Sequence, residues 1–257
     1  MKIVCLVKQV PRADSIEFDQ ETKQLRREGV PLLLNPFDAA AVAHAAAHKD
    51  KTGAEVIAMT MGPPQAADAL RTCLALGADR CIHLSDRAFA VADTLGTSRT
   101  LALAIQKEGE VDLVVCGRKS TDSETWQVPP ETAAFLGWPH VTSVVETELV
   151  GDRLRATRET DEGYETWELA TPAVVSVAYG RDTNGSGDGP IDVWTAGDLV
   201  GDVHENDKRF GQPGSPTRVL AVRDVTPQRS GERFSELAPA AERIRALANE
   251  RALPPSE

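Results

Sequence analysis

The sequence has no surplus of positive charge: 28 Lys and Arg stand against 39 Asp and Glu, a formal net charge of −11. A diffuse basic surface gripping a phosphate backbone is therefore disfavoured, and no nucleic acid partner is expected. Long apolar runs are missing too. No stretch approaches the roughly 20 residues that span a bilayer, and the first residues lead into a strand pattern rather than a signal peptide. No direct membrane insertion is expected, and the chain reads as cytoplasmic. Cysteine is scarce and scattered: Cys5, Cys73, Cys81 and Cys116 lack the close spacing of metal or redox sites and read as buried thiols in a reducing compartment. Several nucleotide and catalytic motifs are absent. No G-x-G-x-x-G follows the first strand, no G-x-x-x-x-G-K-S/T appears, and no Ser sits in a G-x-S-x-G elbow.

What is present is alternation. KIVCLV at 2–7 is apolar on both faces, as a buried parallel strand must be. Alternating residues around a polar turn at 19–22 predict an exposed hairpin inserted at 14–28. Asn35 as cap and Pro36 in the first turn open an Ala-rich helix. EVIAMT, PPQAADALRTCLAL, CIHL, a helix from Asp93 and VDLVVCG repeat the strand–helix cycle. Such a chain builds right-handed crossovers and a doubly wound parallel sheet, fold class α/β. At 257 residues it suits one α/β domain with appendages, placed at 1–180. Alternating runs broken by turns such as Gly151-Asp152 predict an antiparallel addition at 141–170, after which PAVVSVAYG is apolar enough to rejoin the main sheet. Residues 181–257 read as a long arm with little period, expected to wrap a partner, and a C-terminal helix.

In an open parallel sheet a ligand binds outside the carboxyl ends of the strands, near helix N-termini. Three loops fall there: VKQVP, MGPPQA and GRKSTDSETWQVPPE. Gly62 permits close backbone approach, although Gly-Pro-Pro is more simply a helix start. Ser123 and Thr125 can donate hydroxyls to phosphate while Asp122 accepts from ribose or adenine, or serves as an N-cap. His44 and His48, four apart on a helix face, have the spacing of a metal pair but read better as a partly packed face.

The ordered blocks KIVCLVKQVP, REGVPLLLNPFDAAAVAHA, MGPPQAADALRTCLALGADR, SDRAFAVADTLGTSRTLALAI, GRKSTDSETWQVPPETAAFLGWPHVT, PIDVWTAGDL and GSPTRV cover most of the chain and resemble electron-transfer flavoprotein beta subunits. The resemblance implies an adenine-nucleotide alpha-hydrolase-like sheet and a pocket for FAD, as in the flavin-bifurcating branch, or AMP, as in the ordinary carriers. It implies an alpha-subunit partner carrying another FAD, and a dehydrogenase or quinone-reducing enzyme as electron-exchange partner. Carried over by position, Leu6, Lys8, Asn35, Met61, Ser120, Asp122, Ser123, Thr125, Gln127 and Val128 are nucleotide contacts, with Asp93, Thr94 and Thr97 as FAD contacts. No catalytic side chain is expected. Gln127-Val128 and the 85–94 loop are closer to the bifurcating branch, so FAD is preferred to AMP. Val91, Trp126 and Pro129 depart from that branch by adding bulk. The rivals are a nucleotide-hydrolysing protein similar to universal-stress proteins, and a structural subunit whose pocket is closed by Val91 and Trp126.

Overall fold

A computed structural model describes residues 1–12, 17–18, 25–26, 31–150, 153–218, 220 and 233–250. The chain divides into two compact units, Met1–Val222 and Arg223–Glu257. In the first, β1 (Lys2–Leu6) is followed by short pairs, β2 (Gln9–Pro11) with β5 (Leu32–Leu34) and β3 (Glu17–Phe18) with β4 (Leu25–Arg26). The β3–β4 pair falls inside the expected hairpin, whose turn lies outside the described residues. Then come α1 (Pro36–Thr52), β6 (Glu55–Met61), α2 (Ala67–Ala75), β7 (Arg80–Leu84), α3 (Thr94–Glu108), β8 (Leu113–Gly117) and α4 (Val128–Leu136). The remainder is β9 (His140–Val150), β10 (Arg153–Thr160), β11 (Gly163–Ala170), β12 (Ala173–Val177), β13 (Ile191–Trp194) and α5 (Ala196–Val200). The described part of the second unit is centred on α6 (Leu237–Glu250).

Nine strands form one sheet in the order β11-β10-β9-β12-β8-β1-β6-β7-β13. From β9 to β13 all neighbours are parallel. Antiparallel pairing begins only at β9–β10 and continues to β11. The addition read at 141–170 thus enters the sheet in parallel through β9. Side-chain alternation cannot reveal this, because it reports which face is buried and not which neighbour a strand meets.

Period two sorts the core. Ile3 and Cys5 join the α1–α2 side with Ala41, Val42, Ala45 and Leu70, while Val4 and Leu6 join the α3–α4 side with Ile57, Ile82, Leu101 and Ile105. Each fully buried aliphatic side chain contributes about 1.5–3 kcal/mol, so both layers are needed to hold the sheet. The small residues of α1 allow close packing on β1 and β8. Pro36 supplies its first turn, and Gly53, at φ 70, ends it with its N–H on the Lys49 carbonyl.

Candidate functional site

Strand order reverses at β1: the chain first builds outward through β6 and β7, then returns to place β8 on the other side of β1. The loops leaving β1 and β8 separate there, which is where an open α/β sheet receives a ligand. The first turn of α1 clasps both strand ends. Asp38 accepts the Lys8 N–H on Oδ2 at 2.8 Å and the Gly117 N–H on Oδ1 at 3.2 Å. Any Cβ at Gly117 would collide with Phe37 and the Asp38 carboxylate, so only glycine permits this approach. Asn35 is fully buried. Its Nδ2 donates to the Lys119 carbonyl at 2.9 Å and its Oδ1 accepts the Thr121 N–H at 3.3 Å. The expected side-chain cap at Asn35 does not form. A loop that returns 84 residues later offers the amide better partners than its own helix.

From Gly117 the chain makes a tight excursion. Lys8 Nζ holds both Asp122 carboxylate oxygens, at 2.9 and 2.7 Å. Ser120 and Ser123 hydroxyls meet at 2.8 Å, and Lys119 pairs with Glu124 at 2.6 Å. Glu124 and Trp126 have left-handed backbones, φ 49 and 64. The Trp126 ring lies 4.7 Å from the Arg118 guanidinium carbon, and Phe37 lies 5.3 Å from the same carbon. Gln127 precedes α4, where its side chain accepts from Thr94 Oγ1 at 3.4 Å. Glu131 joins the same contact, accepting from Thr94 Oγ1 at 3.2 Å and from Ser98 Oγ at 3.0 Å. The loop after β8 and the start of α3 are thereby one hydrogen-bonded unit.

These loops have counterparts elsewhere. Residues 22–199 match the electron transfer flavoprotein domain. The electron transfer flavoprotein subunit beta of Thermoanaerobacterium thermosaccharolyticum is 39% identical over 245 residues, covering 91% of this chain and 92% of that protein. Subunit CarD of the caffeyl-CoA reductase-Etf complex of Acetobacterium woodii is 45% identical over 177 residues, 68% of each chain. Protein FixA of Azorhizobium caulinodans is 34% identical over 262 residues, covering 93% and 91%. The chain belongs to the electron transfer flavoprotein beta-subunit family.

Within this flavoprotein-family fold the expected contacts fall into separate groups. Lys8 and Asp122 meet directly, Asn35 supports the 119–121 backbone, and Thr94, Gln127 and Val128 converge through Ser98 and Glu131. Ser123, Thr125 and Gln127 are exposed, Leu6 is buried in the α3-side core, and Met61 ends β6, the next strand along. Asp93 caps α3 by accepting from Gly96 N at 2.9 Å, and its other oxygen takes Thr217 N and Oγ1 at 3.1 and 2.7 Å. Thr97 sits one turn in, its N–H on the Asp93 carbonyl. The Gly62 N–H is taken by the Leu84 carbonyl at 3.1 Å.

Electrostatics follow these partners. Burial pushes the Asp38 carboxyl up to about 7, against the pull of Asn35 and the Lys8 and Gly117 N–H groups. Burial alone would raise Asp122, but the Lys8 ammonium holds it below the ordinary carboxylate range. Asp93 likewise resists a rise from burial and is lowered by Gly96, Thr217 and Ser215. Asp38, Ser98, Arg118 and Glu131 were not singled out by the sequence. Asp38 looks like any first-turn acid, and Glu131 is distinguished only by standing one turn after Gln127. Among the described residues no group of three or more His, Cys, Asp or Glu could hold a metal. His44 and His48 instead point their Nε2 atoms at one hydroxyl, Thr147 Oγ1, each at 2.5 Å. A cleft of about 830 Å3 lies at the opposite edge of the sheet, beside Lys2, Glu55 and Asp112. Lys2 is committed there to Glu108 and Asp112, so that edge offers structure rather than chemistry.

Proposed function

We propose that this chain is an electron-carrier subunit that holds an adenine nucleotide, FAD in preference to AMP, at the β1/β8 reversal and works docked to a flavin-carrying alpha subunit. The observation that carries this reading is that the loop after β8 meets Lys8 through Asp122 and meets Thr94 and Ser98 of α3 through Gln127 and Glu131. It gathers segments from three strand ends around one rim. Ser120, Ser123 and Thr125 hydroxyls line the loop as donors for phosphate or ribose. Val91 is 77% exposed, so its bulk fills no packed space in this chain, which supports room for a flavin ring near Thr94 and Thr97. Trp126 stacks on Arg118 rather than sealing a core. A flavin bound there supplies the redox chemistry; the residues bind it, orient it and set the charge around it. That its relatives are a subunit beta and a subunit of a reductase-Etf complex supports an alpha-subunit partner and electron exchange with an oxidoreductase. Flavin-based bifurcation is the finer form of the proposal, supported by Gln127-Val128 and the Asp93–Thr94 loop.

The test is to co-express the chain with its alpha subunit, denature the purified complex and count nucleotides by chromatography. Two FAD per heterodimer is the expected result. One FAD and one AMP would place the chain among one-flavin carriers, and no nucleotide beyond the alpha subunit's own would overturn the reading.

A further inference from the structure

Three cations stand at the carboxyl edge of β1 and β8: Lys8, Arg118 and Lys119. Two are spent. Lys8 pairs with Asp122 at 2.7 Å and Lys119 with Glu124 at 2.6 Å, both carboxylates belonging to the loop after β8. Arg118 has no carboxylate in ion-pair reach and no hydrogen bond from its guanidinium among the described residues, and its Nε is buried without a partner. A chain with a net charge of −11 has many carboxylates to offer, so an unpaired, partly buried guanidinium is a desolvated charge awaiting one. Its guanidinium carbon lies 5.3 Å from the Phe37 ring centre and 4.7 Å from that of Trp126, the same two rings that Lys119 Nζ approaches at 5.4 and 5.5 Å. Contact with a ring consumes none of the guanidinium N–H groups, whose planar fork matches two oxygens of a phosphate. Its backbone N–H is fixed on the Val177 carbonyl at 3.2 Å, one residue after the Gly117 that Asp38 clasps, so the group is positioned by the sheet.

We propose that Arg118 is the phosphate-binding residue of this site, taking the adenosine 5′-phosphate common to AMP and FAD, with Phe37 and Trp126 as the aromatic clamp that presents it. This rests on the nucleotide reading above. The negative field of the whole chain repels an anion, so a local donor of this kind is required for phosphate to be held.

The test uses the full chain in complex with its alpha subunit, stripped of nucleotide, and compares AMP with adenosine by calorimetry. Wild type should prefer AMP. Arg118→Gln should weaken AMP roughly ten- to a hundredfold, the loss typical of a charge-assisted bond, while adenosine binding stays unchanged and reports an intact fold. Arg118→Lys should recover only part, because an ammonium lacks the planar fork. Undiminished preference for AMP in Arg118→Gln would overturn the proposal. So would loss of the alpha subunit from that variant with the AMP preference retained, which would assign Arg118 to a partner carboxylate. A wild-type complex that binds neither AMP nor adenosine would instead sink the nucleotide reading, and this inference with it.

Discussion

Asp38 is buried and His44 half-buried, and the surroundings of these two titratable groups push in opposite senses. Asp38 is raised to about 7 by burial, so the fold favours its neutral form; that stabilisation is complete below pH 4 and is lost as pH rises through 7. His44 is lowered to about 4 by burial and by its neighbour His48, so the fold favours the neutral ring; stability is lost as pH falls from 6.5 through 4. The windows overlap and the signs oppose. The wild-type protein should therefore change little in urea midpoint between pH 7.5 and 5. His44→Gln, which removes the acid-side loss, should gain on the order of 1–3 kcal/mol over that interval. A His44→Gln variant whose stability tracks wild type at both pH values would rule this account out. Asp38→Ala strands the Lys8 and Gly117 N–H groups and should cost about 2–4 kcal/mol in denaturant unfolding at pH 7.

At the scale of elements, the N-terminus of α3 joins two parts of the first unit. Asp93 caps the helix and, with Ser215 donating to its acceptor Gly211 and receiving the Asp93 N–H, ties down residues 211–217. Gly211 fits because its φ is 52 and a Cβ there would press on the Ala90 carbonyl at 2.8 Å. That part of the arm lies on its own unit, as do Gly187, bonded to the Arg71 carbonyl, and β13, paired with β7. Asp93→Ala should cost about 1–2 kcal/mol as a lost cap and bring faster amide exchange at 211–217 with little change in β1. Unchanged exchange there would show that apolar packing, not Asp93, holds the segment. On the neighbouring helix, Glu131→Ala releases Thr94 and Ser98 and should deplete bound nucleotide while the far-ultraviolet dichroism stays native. Nucleotide retained in full would remove the α3–α4 junction from the site.

For the molecule as a whole, all four cysteines are free and buried, and burial raises every thiol, Cys81 to about 12. The thiolate is the reactive species, so a disulfide reagent at pH 8 should find almost none in the native chain and four after denaturation. Rapid native reaction of even one would mean that the sheet opens on the timescale of the assay. No helix among the described residues is long and apolar enough to cross a membrane.

Local pattern determined the elements of this protein. The two-faced apolar runs at 2–7 and 113–117 must be buried on both sides, and with intervening helices only a parallel sheet covers them. Ordered blocks of sequence also determined the family. Tertiary structure alone decided that β9 enters in parallel, that Asn35 serves the 119–121 loop rather than its own helix, and that Asp93 is engaged by Ser215 and Thr217. It alone left Arg118 with no carboxylate among the described residues while Lys8 and Lys119 each found one. The reason is the range of the forces. Burial and propensity act through near neighbours and leave a period in the sequence, whereas a hydrogen bond between residues 84 or 122 positions apart leaves none until the sheet brings them together.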